Sequence, residues 1–217
     1  MDDLHVITLE LMQKMWPHGN QHIPGLLEGI VATAPAVFEK YDINSRLLIC
    51  HLFAQFSEEA GQGLEMVENM NYTAQRLLEI FPTHFTPAMA QRWAHNPRGI
   101  ADIAYGGRMG NAVPPSDDGW NYRGKGLSQV TGKEGYEKLQ SALTEHVISW
   151  SIIDDPDLIV DPNHTLECGV ADWLVCGCLS HAEKDDIVGE TRALNGGLNG
   201  LAERRRQLFL WKKSLNM

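Results

Sequence analysis

A helix whose apolar face ends in a carboxylate is the feature that most constrains this chain. Leu48, Leu52 and Phe56 recur at the spacing of one helical face. At about 100° per residue, Glu59 projects within about 60° of that face, whereas its neighbour Glu58 points elsewhere. A carboxyl group at the edge of an apolar face loses hydration, and this loss disfavours its charged form. Glu59 is therefore a candidate general acid.

The same stretch, residues 44–72, supplies the ends of this helix and a second carboxylate. Asn44 or Asp42 is the expected N-cap, and Gly61 is the expected C-terminal stop. Glu68 follows after a glycine-containing loop. Hydrolysis of a glycosidic bond requires a pair of carboxyl groups, and this stretch supplies one that is half-buried and one on a loop. The alternative is that the carboxylate at the helix end is an ordinary solvated residue.

The composition fits a globular protein and argues against several classes of function. The chain has 217 residues, of which 43% are hydrophobic and 21% charged, enough for one large domain or two intimate lobes. No apolar run reaches membrane-spanning length, so membrane insertion is not expected. The formal charge of −10 opposes nonspecific nucleic-acid binding, which needs a basic surface.

The N-terminus lacks the features of a secretory signal. Residues 1–5 are acidic where a signal peptide would be basic, and no apolar segment follows them. The protein is therefore expected to be made in the cytoplasm without cleavable export. If its substrate lies outside the cell, lysis or a specialised secretion machine must release it. A delivery or immunity protein would then be a partner whose identity the sequence does not specify.

The cysteines and histidines do not form a metal-binding pattern. Cys50, Cys168, Cys176 and Cys178 lie in apolar stretches, and their spacing is wrong for a zinc knuckle. The nine histidines include no H-E-x-x-H motif. We therefore expect free thiols and no metal site. A disulfide among the last three cysteines is the open alternative.

Proline and glycine divide the chain into helical segments without repeats or a linker. Segments with helical periodicity surround Glu59 and also lie at 4–16, 23–41, 71–81, 87–95, 98–105, from 133, 165–182 and 201–214. The expected fold is mostly α. Three consecutive arginines occupy residues 204–206. The simplest interpretation is that they form a solvated helix face, and the alternative is that one of them points inward and pairs with a carboxylate.

Residues 105–126 are rich in glycine and are expected to form a loop or a short hairpin. Six glycines and two prolines exclude a regular helix there. Aromatic residues mix with polar ones, as in a sugar-binding cleft where flat rings stack on pyranoses. An ordinary structural loop is the alternative. The candidate sugar contacts in this segment are Tyr105, Arg108, Asn111, Trp120 and Tyr122.

Ordered blocks of residues carry a resemblance to a known family. They are Ala54-Gln55 through Glu59 and Gly61, Glu68-Asn-Met-Asn-Tyr, Tyr105-Gly-Gly-Arg-Met-Gly-Asn, Asp118-Gly-Trp-Asn-Tyr-Arg-Gly-Lys-Gly-Leu-Ser-Gln-Val-Thr-Gly, Asn195-Gly-Gly and Arg204. In this order, over roughly residues 40–210, they resemble glycoside hydrolase family 19, the chitinase-like family that includes bacteriophage endolysins.

The resemblance implies roles for individual residues. Glu59 matches the general acid, and Glu68 matches the second catalytic carboxylate of short-loop, phage-type members. Thr131 matches the residue whose hydroxyl helps hold the attacking water. The remaining matches are two substrate contacts and an arginine that supports the site: Gln129, Asn195 and Arg204. The family inverts anomeric configuration and needs no cofactor, which fits two separated carboxylates with water between them.

The chain departs from the family pattern at five positions. Glu58 replaces a histidine beside the acid, Gln62 a glycine, Lys125 an arginine, Ser128 an isoleucine and Gly135 an asparagine. If the Glu58 and Glu59 side chains approach each other, the charge of Glu58 disfavours ionisation of Glu59. If Glu58 faces water, it has little effect on Glu59.

Together these observations predict a mostly α, lysozyme-like fold with two helical lobes and a central cleft. One catalytic domain is expected over residues 1–217, with the helices of residues 1–43 packed against it. The expected function is hydrolysis of β-1,4 bonds in a polymer containing N-acetylglucosamine. Peptidoglycan is favoured as substrate, as for a bacteriolytic endolysin. Chitin is the first alternative, and an inactive sugar-binding or interaction module is the second.

Overall fold

The structure, a computed structural model, describes residues 5–217 and is built from helices. Over these residues it contains twelve α-helices and no strand longer than an isolated bridge. The α-helices are α1 (Leu9–Met15), α2 (Leu26–Lys40), α3 (Arg46–Glu59), α4 (Ala74–Ile80), α5 (Pro87–Trp93), α6 (Pro97–Tyr105), α7 (Asp118–Asn121), α8 (Lys133–Glu145), α9 (Thr165–Val175), α10 (Leu179–Ala182), α11 (Ile187–Asn195) and α12 (Leu201–Ser214). Short 3₁₀ helices lie at Gly61–Gly63 and Pro156–Val160. No helix in this part of the chain has the length and apolarity needed to cross a membrane.

Helix α3 begins later than either predicted N-cap would place it, and it ends where expected. Its N-cap is Ser45, whose hydroxyl accepts a hydrogen bond from the Leu48 amide at 3.3 Å, so neither Asn44 nor Asp42 caps it. After its last residue the backbone turns left-handed at Gly61, with φ of 52°. The glycine stop is confirmed, because a left-handed turn favours a residue without Cβ.

The expected helix over residues 165–182 is wrong in its extent. It is broken into α9 and α10 at Gly177, whose φ of 78° reverses the chain. The apolar pattern continues through the break because both pieces face the same core. All four cysteines are free thiols, which decides against the disulfide alternative.

Two hydrophobic clusters correspond to two lobes. The larger one surrounds α3, which is buried along almost its whole length, and its largest side chains are Trp16, Phe38, Phe53, Phe56, Tyr136, Trp173 and Trp211. The smaller one joins α4, α5 and α6 through Met70, Leu77, Phe85, Ala90, Ile100, Ala101 and Ala104. The mostly α prediction is confirmed.

A single hydroxyl joins three helices inside the larger lobe. Ser57 of α3 accepts hydrogen bonds from the indole nitrogens of Trp16 at 2.9 Å and Trp211 at 3.1 Å. It donates its own proton to the Phe53 carbonyl oxygen at 2.6 Å. Phe53 stacks on Trp211 with ring centroids 4.7 Å apart. The C-terminal helix α12 is thereby fixed along α3.

A buried ionic network ties α3 to α11 and the segment before it. His51 is fully buried, and its two ring nitrogens lie 2.6 Å from a Glu190 oxygen and 2.8 Å from an Asp185 oxygen. Trp173 donates to the other Glu190 oxygen at 2.8 Å, and Lys212 pairs with Asp185. Burial opposes a charge on the ring, but the two carboxylates outweigh it and raise the pKa of His51.

Helix α2 packs directly on the backbone before α9. A Cβ atom at Gly29 would lie 2.2 Å from the Pro162 carbonyl oxygen, so only glycine allows this approach. This contact places the N-terminal helices on the larger core, whose members include Leu26, Leu27 and Ile30 of α2.

Gly29→Ala is therefore expected to lower the free energy of unfolding by about 1–3 kcal/mol, as overpacking does in a tight core. Urea denaturation followed by circular dichroism measures the change. Gly135→Ala in α8 is the matched control, because its nearest neighbour is a Val130 methyl at 3.3 Å and alanine favours helix. Equal destabilisation by the two changes would contradict the backbone contact.

Candidate active site

The Glu59 carboxylate is anchored by a buried arginine. Arg204 of α12 donates from Nη2 to Glu59 Oε1 at 2.5 Å and from Nη1 to Gln55 Oε1 at 2.5 Å. Its Nε donates to the Asn199 carbonyl oxygen at 3.3 Å. Gln55 and Glu59 are four residues apart and share one face of α3, so one planar guanidinium reaches both. The guanidinium therefore fixes the position of the Glu59 carboxylate at the end of α3.

Of the three consecutive arginines, Arg204 is the one that points inward. It is 2% exposed, whereas Arg205 and Arg206 are exposed and Arg206 pairs with Glu203. The sequence carried a signal for this choice. Residue 204 shares helical spacing with the buried residues at 207, 208 and 211 of the same helix.

The Glu68 carboxylate is held by neutral donors. The Tyr105 hydroxyl donates to Oε1 at 2.7 Å, and the Gly124 amide donates to Oε2 at 3.2 Å. The Glu68 amide donates to the Gly124 carbonyl oxygen at 2.8 Å, beside the antiparallel bridge of Val67 with Lys125. Burial and the contact with Glu68 raise the pKa of Tyr105, so its hydroxyl stays a donor.

Glu68, Gln129 and Thr131 all lie close to Gly124. A Cβ atom at Gly124 would lie 3.2 Å from Gln129 Oε1, 3.2 Å from Thr131 Oγ1 and 3.4 Å from Glu68 Cβ. Thr131 donates its hydroxyl proton to the Gln129 carbonyl oxygen at 3.0 Å. Gln129 has a φ of 56°, a strained backbone for a residue with a side chain. The glycine leaves the space in which these groups converge.

Both carboxylates line one open cleft of about 810 Å³. Its lining includes Glu65 as a third carboxylate but no lysine or arginine. The full lining is Gln21, His22, Glu59, Leu64, Glu65, Val67, Glu68, Asn69, Tyr72 and Gln129. Gln21 and His22 were not predicted, since they lie outside the blocks that carry the resemblance. His22 is fixed by a 2.9 Å hydrogen bond from Nδ1 to the Leu64 carbonyl oxygen.

Comparison with known proteins identifies the family. No family model matches the chain. A protein of Haemophilus influenzae (strain ATCC 51907 / DSM 11121 / KW20 / Rd), described as a glycosyl hydrolase family 19 domain-containing protein, is 32% identical over 186 residues, which are 85% of this chain and 88% of that protein. The chain belongs to glycosyl hydrolase family 19.

Solved structures share the fold of this family 19 protein. Chitinase C from Streptomyces griseus HUT6037 superposes with a TM-score of 0.59 at 16% identity, over 98% of this chain and 78% of that one. A chitinase C mutant gives a TM-score of 0.60 at 15% identity, with the same coverage. The expected lysozyme-like fold is confirmed.

None of the five predicted sugar contacts from the glycine-rich segment lines the cleft. Arg108 is exposed and bonds through Nη1 to His84 at 2.9 Å and to the Ala104 carbonyl oxygen at 3.2 Å. Asn111 is buried, donates to the Tyr105 carbonyl oxygen and accepts from the Lys133 amide. In this structure Asn111 therefore shapes the segment that follows Tyr105.

Three further predicted contacts also have protein partners. Tyr122 is 5% exposed and donates to the Ile153 carbonyl oxygen at 3.1 Å. Trp120 is half-buried, with the Arg123 guanidinium 3.6 Å from its ring centroid. Asn195 caps its own turn by accepting from the Gly197 amide and donating to the Asn199 carbonyl oxygen. The Tyr122 ring is therefore buried, and one face of the Trp120 ring is occupied by Arg123.

Glu58, where the family pattern has histidine, does not face open water. It is half-buried, and a Cβ atom at Gly200 would lie 2.1 Å from its Oε1. Burial raises the pKa of Glu58, while the nearby Arg204 lowers it. Glu58 therefore belongs to the charged surroundings of Arg204, although it does not line the cleft.

Asp172 is a further carboxyl group near Glu59, and the sequence did not reveal it. Gly169, one turn earlier in α9, lets the helix approach Phe56 and Leu127, since a Cβ there would lie 2.9–3.0 Å from both. Asp172 then accepts a hydrogen bond from Ser128, a departure from the family pattern. Burial raises the pKa of Asp172 to about 6, and the Glu59 charge adds to the effect.

Asp172→Asn is expected to change the pH dependence of stability. The pKa of this carboxyl rises from 3.8 to about 6 on folding. Its protonated form therefore contributes fully to the free energy of unfolding below pH 4, and this contribution is lost as the pH rises through 6. At pH 8 the free energy of unfolding has lost about 3 kcal/mol, because each unit of pKa difference is worth about 1.36 kcal/mol. Urea unfolding of variant and wild type at pH 4.5 and 8 measures the part of this loss that falls between those two values, about 2 kcal/mol. Exposed Asp154→Asn is the control. A difference between variant and wild type that is independent of pH would contradict this assignment.

Replacing each of the two adjacent glutamates by glutamine tests the site directly. Glu59→Gln should keep the fold and lower the hydrolysis rate about 10²–10⁴-fold, the usual contribution of a general acid. Glu58→Gln is the matched control and should cost much less, because its side chain lies against Gly200 outside the cleft. An inactive Glu58→Gln beside an active Glu59→Gln would show that the assignment is reversed.

Proposed function

We propose that this family 19 protein hydrolyses β-1,4 bonds of an N-acetylglucosamine polymer with inversion, and that its substrate is bacterial peptidoglycan. The observation that carries the proposal is the pair Glu59 and Glu68 on one cleft, each held by a different kind of partner. Glu59 is held by a cation and Glu68 by neutral donors. This asymmetry supports different roles for two chemically identical groups.

Glu59 is the proton donor in this mechanism. Arg204 occupies Oε1, which leaves Oε2 to carry the proton to the leaving glycosidic oxygen. The carboxylate that remains after transfer gains full stabilisation from the guanidinium. The ion pair therefore strengthens as the bond breaks, and an interaction that is stronger in the transition state accelerates the reaction.

Glu68 and Thr131 orient the attacking water. The Thr131 hydroxyl donates to Gln129, so towards a water molecule it can only accept. A water that donates one proton to Thr131 Oγ1 and the other to Glu68 directs its lone pair at the anomeric carbon. Glu68 takes the proton as the new bond forms, and no covalent enzyme intermediate arises.

The choice of peptidoglycan rests on the short-loop, phage-type arrangement around Glu68-Asn-Met-Asn-Tyr. The resemblance to endolysins is carried by this block and by the compact loop that follows. Chitin is the second candidate, because the solved structures with the same fold are chitinases. Both polymers present β-1,4 bonds to the same pair of carboxylates.

Parallel digestion of purified peptidoglycan and soluble chitin tests the proposal. We expect new reducing ends from peptidoglycan, detected by mass spectrometry, and initial release of the α-anomer, detected by NMR. Glu59→Gln is the control and should release neither. Faster cleavage of chitin would move the assignment to the second candidate. Free amino groups without new reducing ends would overturn the glycosidase mechanism, and binding without cleavage would indicate a sugar-binding module.

A further inference from the structure

A second groove of about 460 Å³ lies between the ends of α1 and α12. Its lining contains three basic side chains and no carboxylate. The lining residues are Lys14, Met15, Pro17, Gln62, Arg206, Gln207, Leu210, Lys213 and Ser214. On a chain with a net charge of −10, this groove concentrates positive charge, whereas the cleft concentrates negative charge.

The basic residues alone have an ordinary explanation. Lys14 and Lys213 lie in the last turns of α1 and α12, where cations complement the helix dipole. Arg206 already pairs with Glu203. A ligand site needs an additional observation at the same place.

Gln207 provides that observation. It lines the groove but is only 1% exposed, and its amide nitrogen donates to Glu203 at 2.8 Å. Its Oε1 is buried and has no hydrogen-bond partner among the described residues. Burial of an acceptor without a partner is unfavourable, so a ligand whose N–H or O–H enters the groove and reaches this oxygen would gain a hydrogen bond.

The groove and the cleft are bordered by the same two chain segments. In the first segment, Met15 and Pro17 border the groove and residues 21–22 border the cleft. In the second, Gln62 borders the groove and residues 64–65 border the cleft. The two segments are in direct contact, because a Cβ atom at Gly63 would lie 2.9 Å from Gly19 Cα. A branched polymer bound in the cleft would therefore have the groove beside it.

We propose that the groove binds the peptide side chains of peptidoglycan. This inference rests on the proposed function and deepens it. Lys14 and Lys213 pair with peptide carboxylates, and Gln207 Oε1 accepts a peptide N–H. The glycan strand lies in the carboxylate-lined cleft and the peptide in the basic groove. Chitin has no carboxylates, so the groove selects peptidoglycan over chitin.

The test compares substrates with and without peptides, using the double variant Lys14→Gln/Lys213→Gln. We expect its KM on intact peptidoglycan to rise about fivefold or more with kcat unchanged. Its KM on glycan strands freed of peptides by an amidase should stay at the wild-type value. Lys138→Gln/Lys184→Gln is the matched control, since it removes the same charge from exposed positions outside the groove. It should leave both KM values unchanged.

A binding measurement separates this inference from the proposed function. A soluble anionic stem peptide, added to the Glu59→Gln variant, should shift NMR signals of Lys14, Gln207 and Lys213, and the lysine substitutions should abolish the shifts. No shift, or an equal KM increase on both glycans, would overturn the groove assignment even if the enzyme cleaves walls. An effect seen only with walls that retain phosphate polymers would also overturn it, in favour of phosphate as the anion. Peptide binding without cleavage of any glycan would instead overturn the proposed function.

Discussion

The arrangement of the site depends on one buried guanidinium. Arg204 is buried where α12 meets α3, and the same pair of helices is held further along by the stacking of Phe53 on Trp211. A buried cation is costly unless several acceptors surround it, and here Gln55, Glu59 and the Asn199 carbonyl oxygen do so. This requirement fixes the last turn of α3 against α12, and Glu59 is thereby held at the cleft wall.

The two lobes divide the candidate chemistry between them. Glu59 extends from the long helix of the larger core, so its position is set by rigid packing. Glu68 lies on a bridged segment and is held by Tyr105, the last residue of α6, whose other face packs in the smaller core. The relative position of the two lobes therefore sets the space between the carboxylates, which must admit a sugar and a water molecule.

Positive and negative side chains are concentrated at different places on the surface, and the net charge of −10 does not reflect this separation. Carboxylates line the cleft, basic side chains line the groove, and the shared wall of residues 15–22 and 62–65 separates them. A neutral glycan with anionic branches complements both. The family assignment is compatible with chitin and peptidoglycan alike, so in our proposal the groove beside the cleft is what selects between them.

The sequence by itself determined most of the helices, the end of α3, the different directions of Glu59 and Glu58, and the family. It missed the break between α9 and α10 and the short helix α7 inside the glycine-rich segment. The features that it determined follow from periodicity and from residues close together in the chain, which local geometry constrains. Only the tertiary structure decided that Arg204 meets Glu59, that Asp172 joins Ser128, that Gln21 and His22 border the cleft, and that Tyr122 and Asn111 are buried. Periodicity shows which face of a helix is buried, but the partner on that face comes from a distant part of the chain and is selected by packing.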